Sequence, residues 1–412
     1  MANVSTLSAV SAPERARRVS IGFINWAHAI DHYVMLILAT VVIELTVIYR
    51  WSYSDLIALG TPAFIAFGVF SLPAGWLGDR WSRRNMMALF YLGCGVALAA
   101  AGLAPNPYAL AAALTVLGIF AAIYHPVGTA MLIEQATSRG RSLAFNGVCG
   151  NLGVALAAGI TAVLVYGFGW RGAFLVPALI CVITGIAYVL IVPDDRHRSA
   201  SRGSAPDVAL APWAAATIFA LFIVIALSAG LVFHIATIAL PKIVDERLGL
   251  SVSLMQVGGI ATLILMCGAI AQLTIGRLVD KFPLHLLFAA VAVLQFAGVV
   301  WTAYATGPVL VVALSVAVAA IYAQVTVNDL VIARYTADAW RARVYAVRYF
   351  MTFLASGAAI WLIAVLHARG GFGLVLGFAA VIALGFVIGT AAIAVLVNGV
   401  EKERRRAPQP AE

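Results

Sequence analysis

The sequence predicts an all-α polytopic membrane protein whose twelve transmembrane helices form two pseudo-symmetric six-helix bundles. Three observations predict this class: the composition, the length of the apolar runs and an internal repeat. The chain of 412 residues is 63% hydrophobic and only 10% charged, whereas soluble domains carry about 25% charged residues. The charges stand in short clusters between apolar runs, which is typical of a helical membrane protein. A β-barrel would instead show alternating segments of about ten residues.

Twelve apolar runs are long enough to cross a bilayer as a helix, which takes about 20 residues. We number them spans 1 to 12, and they cover residues 20–48, 55–76, 86–104, 107–133, 142–167, 172–193, 212–239, 251–275, 284–304, 307–333, 342–366 and 373–399. The longest connection is polar, basic and rich in Ser and Ala, which predicts a flexible linker between two halves. The predicted domains are an N-terminal tail, an N-terminal bundle, this linker, a C-terminal bundle and a C-terminal tail, at residues 1–19, 20–193, 194–211, 212–399 and 400–412.

The distribution of Lys and Arg predicts the orientation of the spans. If the N-terminus is cytoplasmic, 20 of the 26 basic residues lie in cytoplasmic segments, five lie on the other side, and Arg348 lies inside span 11. This positive-inside bias predicts that both termini face the cytoplasm. It also explains the net charge of +9. Because the basic residues are spread over seven segments, nucleic acid is not predicted as a partner.

The two halves of the sequence repeat. GWLGD at 75–79 recurs as GRLVD at 276–280, at an offset of 201, and RGRSLAFN at 139–146 recurs as RARVYAVR at 341–348, at an offset of 202. Both matches fall at equivalent places, after the second span of each half and between its fourth and fifth spans. Two matches at nearly one offset predict a duplicated six-helix unit.

The first repeated stretch, Gly75-x-Leu77-x-Asp79-Arg80-x-x-Arg83-Arg84, resembles the loop 2–3 signature of the major facilitator superfamily, G-x-L-x-D-R-x-G-R-R/K. The second copy, Gly276-x-Leu278-x-Asp280-Lys281, resembles its usual degenerate partner, and Ser82 stands where the family prefers Gly. With the twelve spans and the repeat, the resemblance covers essentially the whole chain. It implies the major facilitator fold and a secondary transporter, not an enzyme, that works by alternating access.

The resemblance also implies a gate at this loop. Gly75 is expected to let spans 2 and 11 approach closely, and Asp79 to cap the N-terminal end of a neighbouring helix. Arginines of the loop are expected to pair with Glu134 at the end of span 4 in the outward-open state and to separate in the inward-open state. The predicted gating residues are Gly75, Asp79, Arg80, Arg83, Glu134, Gly276, Asp280 and Asp329. The alternative is that these charges only enforce topology.

A narrower resemblance lies in spans 4 and 5. AIYHPVGTAML at 122–132 and GVCGNLGVALAAG at 147–159 are similar to the corresponding segments of the fosmidomycin-resistance type of facilitator. That resemblance implies proton-coupled export across a bacterial inner membrane. The glycines Gly147, Gly150 and Gly153 favour close helix packing, with flexing during transport as the alternative.

The densest polar set in any span is NWAHAIDHYVM at 25–35. At 100° per residue, Asn25, His28, Asp31 and His32 fall within an arc of about 120°, so they share one face of span 1. An ionisable group at this depth is costly and usually faces a cavity, and a buried carboxylate beside imidazoles can exchange a proton near neutral pH. We therefore predict Asp31 as the proton-coupling residue, with His28 and His32 tuning it. The alternative is a polar cluster that only fixes helix packing.

Other polar residues are predicted to face the same central cavity. Pro126 follows His125 in span 4 and is expected to loosen the local backbone hydrogen bonds. His234 lies in span 7, the counterpart of span 1, while Asp329 and Arg348 are expected to form an ion pair at the cytoplasmic end. The predicted substrate-binding residues are Asn25, Tyr124, His125, His234, Gln324, Asn328 and Arg348.

Three hypotheses about function remain open at this point. The first is a monomeric, proton-coupled exporter of a small organic molecule, embedded in lipid and without a cofactor. The second is an importer or exchanger of a small anion or a divalent metal ion. In that case His28, Asp31, His32 and His234 would ligate a metal, or Arg348 would hold a carboxylate or phosphonate. The third is a membrane-embedded metalloenzyme, which does not explain why both halves carry the loop signature.

Two further observations limit the chemistry. The four cysteines (Cys94, Cys149, Cys181 and Cys267) stand singly inside apolar runs, so the sequence predicts neither disulfides nor a zinc site. The sequence contains no GxxxxGK[ST] loop, so ATP is not predicted as the source of energy.

Overall fold

The computed structural model describes the backbone of residues 12–193, 212–249, 252–335 and 338–406. Side chains are described in these ranges except at residues 12–13, 139–140, 212–216, 218–219, 332–335, 338–349 and 400–406. The predicted linker and the Arg348 side chain lie outside the described residues, as do parts of both predicted tails. The domain boundaries therefore stay predictions.

The described part of the chain consists of helices joined by short connections. Its helices are α1 (Ala12–Tyr49), α2 (Tyr53–Ala58), α3 (Thr61–Arg80), α4 (Arg83–Gly102), α5 (Pro107–Ala121), a π-helical turn (Tyr124–Gly128), α6 (Thr129–Gln135), α7 (Arg139–Ile191), α8 (Pro212–Arg247), α9 (Leu254–Leu278), α10 (Leu284–Tyr304), α11 (Gly307–Tyr335) and α12 (Asp338–Arg406). Ten helical segments of the described residues are long and apolar enough to cross a membrane.

Two of these segments are long enough to cross twice. They lie in α7 and α12 and hold 51 and 50 residues, whereas one crossing takes about 20. The backbone of α7 is non-helical at Gly169, with φ at 69°, and that of α12 at Gly370 and Gly371, with φ at 59° for Gly371. Glycine adopts positive φ without steric cost, so each helix can turn there. The ten segments of the described residues therefore provide twelve crossings, the number of predicted spans.

Arginine side chains show the direction of the second arm of α7, which is the part of this helix that follows Gly169. Arg171, in the middle of α7, donates hydrogen bonds of 3.0 Å to the carbonyl oxygens of Gly102 and Ala104 at the end of α4. Arg84, at the start of α4, donates to the carbonyl oxygen of Val192 just after α7, at 3.0 Å. The second arm of α7 is therefore antiparallel to α4. Each cation also stabilises the negative end of a helix dipole.

The two bundles meet where α2 packs against α12 and α1 against α8, but mainly along two pairs of helices, α7 with α9 and α3 with α12. Small residues let the backbones approach in both places, as is usual between membrane helices. A Cβ on Gly258 of α9 would lie 2.7 Å from the carbonyl oxygen of Ala158 in α7. A Cβ on Gly68 of α3 would lie 3.2 Å from the backbone of Phe353 in α12. Substituting either glycine would push the bundles apart.

Local sequence explains two breaks in the predicted helices. Span 4 contains the π-helical turn because Pro126 has no N–H to donate, so the loosening expected there is present. Such turns often occur at functional sites. Ser82, which replaces the family's glycine in the loop signature, is the N-cap of α4, since its hydroxyl accepts a 3.1 Å hydrogen bond from the Asn85 N–H. Serine is among the preferred residues at that position.

Candidate functional site

Three histidines meet where α1 packs against the π-helical turn. We call His28, His32 and His125 the imidazole cluster. Their ligand nitrogens all lie within 4.8 Å of one another, and each ring is partly buried. The ring of His125 stands edge-on to His28 and His32, with centroid distances of 5.3 and 5.4 Å. The sequence placed His28 and His32 on one face, and the fold adds His125 from span 4.

Hydrogen bonds fix the direction of the His28 and His32 rings. His28 Nδ1 lies 2.8 Å from the backbone carbonyl oxygen of Asn146, which can only accept, so Nδ1 carries a proton. Nε2 of neutral His28 is then an acceptor, and it lies 3.2 Å from His32 Nε2. His32 therefore donates to His28 and keeps Nδ1 as its own acceptor. The two histidines form a directed chain that starts at Asn146.

Asp31 is the only carboxylate beside this cluster in the described part of the chain. Its side chain is fully buried, and Oδ2 lies 3.3 Å from His125 Nε2. Neither of its oxygens accepts a hydrogen bond from a described residue. A buried carboxylate without donors is costly as an anion. Its neighbour is His125, whereas the sequence had paired it with His28 and His32.

Asn146 ties the site together, and sequence analysis missed it. Its side-chain amide donates to Asn25 Oδ1 at 2.9 Å, and its Oδ1 accepts from the Tyr124 hydroxyl at 3.0 Å. Tyr124 also stacks on His28, with ring centroids 4.8 Å apart. Asn25 and Tyr124 are buried and bond Asn146, so they orient the cluster, and their predicted role in binding a substrate stays a prediction. The signal was present, because Asn146 ends the repeated stretch at 139–146.

Glycines of α7 bring that helix against α1. A Cβ on Gly150 would lie 2.5 Å from the His28 ring, and one on Gly153 would lie 2.2 Å from the carbonyl oxygen of Ala29. These two residues therefore serve close packing, as the sequence favoured. Gly147 has no described atom within 4 Å of such a Cβ.

Three helices of the C-terminal bundle also bury polar side chains. His234 of α8 lies near His32 of α1, and its Nε2 is buried without a hydrogen-bond partner among the described residues. Gln324 and Asn328 of α11 are buried, and their amide oxygens have no partner in the described part of the chain. Gln295 of α10, which sequence analysis missed, has a buried amide whose nitrogen and oxygen both have no hydrogen-bond partner among the described residues. The sequence did show Gln295 as a single amide side chain inside the apolar span 9.

Three of the predicted gating residues form ion pairs with one another, while their role as a gate stays a prediction. Arg83 donates to Asp79 at 2.6 Å and to Glu134 at 3.2 Å, while Arg80 lies over the ring of Trp76, 4.6 Å from its centroid. The three paired residues all belong to the N-terminal bundle. These ion pairs therefore do not by themselves join the two bundles.

The expected role of Gly75 stays a prediction, because the side chains at the start of span 11 (residues 342–349) lie outside the described residues. Gly75 was expected to bring spans 2 and 11 together, but the described atoms that its Cβ would meet belong to Pro126 of the π-helical turn, at 3.1 Å. The close approach of α3 to α12 lies two turns earlier, at Gly68. In the second copy of the loop signature, a Cβ on Gly276 would have no described atom within 4 Å. Asp329 has an interaction outside the described contacts, and the predicted Asp329–Arg348 pair lies outside them too.

The sequence profile of the Major Facilitator Superfamily matches residues 21–331, which is more than half of the chain. The chain belongs to the major facilitator superfamily. It is therefore a multi-pass membrane transporter of small molecules and not an enzyme, which removes the metalloenzyme hypothesis. Neither the profile nor the similar proteins confirm the narrower fosmidomycin-resistance type.

Several curated proteins are similar to part of this facilitator. The puromycin resistance protein of Streptomyces alboniger is 29% identical over 149 residues, which cover 35% of this chain and 30% of that protein. A probable L-galactonate transporter of Escherichia coli K12 is 26% identical over 148 residues, or 35% of this chain and 33% of that protein. A probable actinorhodin transporter of Streptomyces coelicolor is 28% identical over 138 residues, or 32% and 24%. The match spans a third or less of each relative's length.

Solved structures support the fold over almost the whole facilitator. A bacterial homolog of the human lysosomal transporter Spinster, inward-facing and unoccupied, aligns with a TM-score of 0.69 at 14% identity, over 94% of this chain and 95% of that one. The occupied inward-facing form of a bacterial Spinster homolog aligns with a TM-score of 0.71, also at 14% identity, over 98% and 100%. At this identity the similarity establishes the fold alone.

Proposed function

We propose that the protein is a proton-coupled secondary transporter that exports a small organic molecule by alternating access. It would act as a monomer in a bacterial inner membrane with both termini in the cytoplasm. The observation that carries the proposal is Asp31, a fully buried carboxylate near the middle of span 1. Its oxygens accept no hydrogen bond from a described residue, and a ring nitrogen of His125 lies 3.3 Å away.

The chemistry follows from the cost of burying a charge. An unpaired carboxylate in an apolar bundle is several kcal/mol less favourable than in water, so Asp31 takes up a proton, or shares one with His125, whenever the site is closed. Water that enters an opened cavity stabilises the anion and lets the proton leave. A proton taken up on one side and released on the other then drives the conformational cycle. His28 and His32 form the directed chain beside this pair.

Three considerations support an organic cargo and export. The similar proteins are named for puromycin resistance, actinorhodin and L-galactonate, all small organic molecules, and resistance favours export. The segments at 122–132 and 147–159 are similar to those of the fosmidomycin-resistance type. The imidazole cluster and His234 offer uncharged donors and acceptors from both bundles, which suits a polar organic solute.

The test is transport by purified protein in liposomes with an imposed pH gradient. A thermal-shift screen that includes puromycin and L-galactonate first identifies a substrate. If protons and substrate move in opposite directions, an acidic lumen drives uptake whichever way the protein is inserted. Uptake driven by an acidic exterior would establish symport, and uptake that ignores the gradient would remove the proton from the mechanism.

The competing hypothesis is a divalent cation or a small anion as the cargo. It has one observation in its favour, since the ring nitrogens of the imidazole cluster lie within 4.8 Å of one another and neutral imidazole suits Zn²⁺. The same liposomes separate the two hypotheses. Accumulation of radioactive zinc, or of carboxylates or phosphonates alone (L-galactonate among them) with no transport of puromycin or another non-anionic organic solute, would replace the proposal above.

A further inference from the structure

A second group of ionisable side chains lies at the predicted periplasmic end, far from the imidazole cluster. It joins α2 of the N-terminal bundle to two parts of the C-terminal bundle. These are the end of α8 and the part of α12 that precedes Gly370. We call Ser54, Glu246 and His367 the latch. Neither the family signature nor the proposed site uses these residues.

His367 is the centre of the latch because both of its ring nitrogens are engaged. Nδ1 lies 3.0 Å from the Ser54 hydroxyl, which belongs to the other bundle. Nε2 lies 3.2 Å from each oxygen of the Glu246 carboxylate. The ring is held between Tyr53 and Phe372, with centroid distances of 4.9 and 4.6 Å. Packing therefore fixes the ring in the position that bridges the bundles.

The latch differs from the other described contacts between the bundles. The remaining side-chain hydrogen bonds across this interface, among the described residues, pair Asn151 with Gln272 and the Gly159 N–H with Thr262. Those groups do not titrate in the physiological range. Imidazole is the side chain whose ordinary charge change lies nearest to physiological pH, and His367 places an imidazole in a hydrogen bond between the two bundles.

Carboxylates outnumber cations in the group of charged side chains beside His367. Lys242 of α8 pairs with Asp245 at 2.6 Å and with Glu246 at 3.4 Å, and it lies over the Tyr53 ring at 5.8 Å. One cation thus faces two carboxylates. On α2, Asp55 is bonded to Ser52 and is exposed. On α12, Arg369 is exposed and two residues from His367. A charged His367 would balance the Lys242, Asp245 and Glu246 group.

We propose that His367 is a pH-responsive latch that holds the predicted periplasmic end closed. Neutral His367 donates to Glu246 from Nε2 and accepts from Ser54 at Nδ1. Protonated His367 donates at both nitrogens, and its bond to the neutral Ser54 hydroxyl, which crosses between the bundles, becomes charge-assisted. Such bonds are roughly twice as strong as neutral ones, so acid outside the cell favours the closed periplasmic end. The latch does not depend on proton coupling at Asp31.

The test measures opening of that end in the full chain, in nanodiscs, without substrate. Spin labels at Tyr108→Cys and Tyr304→Cys, both exposed positions, report the separation of the bundles in a protein whose native cysteines are replaced. Asp31→Asn is present throughout, so that a failure of the proton-coupling proposal cannot be mistaken for a failure of this one. The ratio of open to closed molecules should fall about fivefold from pH 8 to pH 5.5, as a bond strengthened by roughly 1 kcal/mol requires.

His367→Gln should remove this pH response, because the amide can still bond Ser54 and Glu246 but cannot gain a charge. His285→Gln is the matched control, since His285 bonds Asn398 inside the C-terminal bundle at 2.9 Å and should leave the response intact. Ser54→Ala should raise the open fraction at both pH values. A wild-type pH response in His367→Gln, or an unchanged open fraction in Ser54→Ala, would overturn the proposal.

Discussion

At the offset of 202 that relates the two halves, His28, Asp31 and His32 of α1 correspond to Gly230, Phe233 and His234 of α8. The N-terminal bundle thus holds a carboxylate and a chain of imidazoles where the C-terminal bundle keeps one imidazole in apolar surroundings. The duplication preserves the helices and the loop signature, but not the chemistry in the middle of the spans. A carrier needs two similar bodies to rock against each other, and it needs a titratable site only in one of them.

The largest effect expected from this difference is at Asp31. Asp31→Asn should abolish accumulation driven by a pH gradient and spare substrate binding and downhill exchange, because the amide can hydrogen-bond but cannot carry the proton. Phe233→Leu, at the equivalent position of α8, is the matched control and should keep coupled transport. Transport in liposomes, with and without an imposed gradient, measures both variants. Wild-type accumulation by Asp31→Asn would place the coupling elsewhere.

His32 and His234 occupy equivalent positions in the two bundles, and both should contribute to substrate binding. His32→Ala and His234→Ala should each weaken substrate binding by about tenfold, the cost of one lost hydrogen bond of roughly 1.4 kcal/mol. Calorimetric titration of the purified variants measures this. If His234→Ala binds like the wild type while His32→Ala does not, the substrate is held by the N-terminal bundle alone.

The hydrogen-bond network of the N-terminal bundle should also contribute more to stability than its counterpart. Asn146→Ala removes two buried side-chain hydrogen bonds, to Asn25 and Tyr124, and should lower the free energy of unfolding by about 1 kcal/mol, given roughly 0.6 kcal/mol for each such bond in membranes. Asn398→Ala removes one bond, to His285, at an exposed position and should have a smaller effect. Thermal unfolding in detergent compares the two, and an equal loss of stability would contradict the difference.

The smallest effect is expected at the loop signature. Asp79→Asn removes the partner of Arg83 in a largely exposed pair, which is worth about 0.2–1 kcal/mol, so the conformational ratio should shift about twofold toward the inward-open state. Asp280→Asn in the degenerate second copy should shift it less. Labelling of single cysteines on each face follows the shift. An unchanged pattern in Asp79→Asn would mean that the motif only sets topology.

The amino-acid sequence determined the membrane class, the twelve spans and the duplication. Length and polarity of a run decide whether it crosses a bilayer, because apolar helices leave no backbone group unpaired in lipid. The periodicity of one helix also determined that His28 and His32 share a face. The loop signature was enough to identify the superfamily, because its residues lie close together in the chain.

Only the tertiary structure decided which helices meet at that face. Asn146 reaches Asn25 and His28 from more than a hundred residues away, and His125 enters the site because Pro126 opens a π-helical turn beside α1. The same packing turned Gly75 toward Pro126 and used Asn25 and Tyr124 as internal partners. Periodicity fixes the direction of a side chain about its own helix axis. The neighbour it finds depends on how helices distant in the sequence pack, and small residues such as Gly150 and Gly153 set that packing.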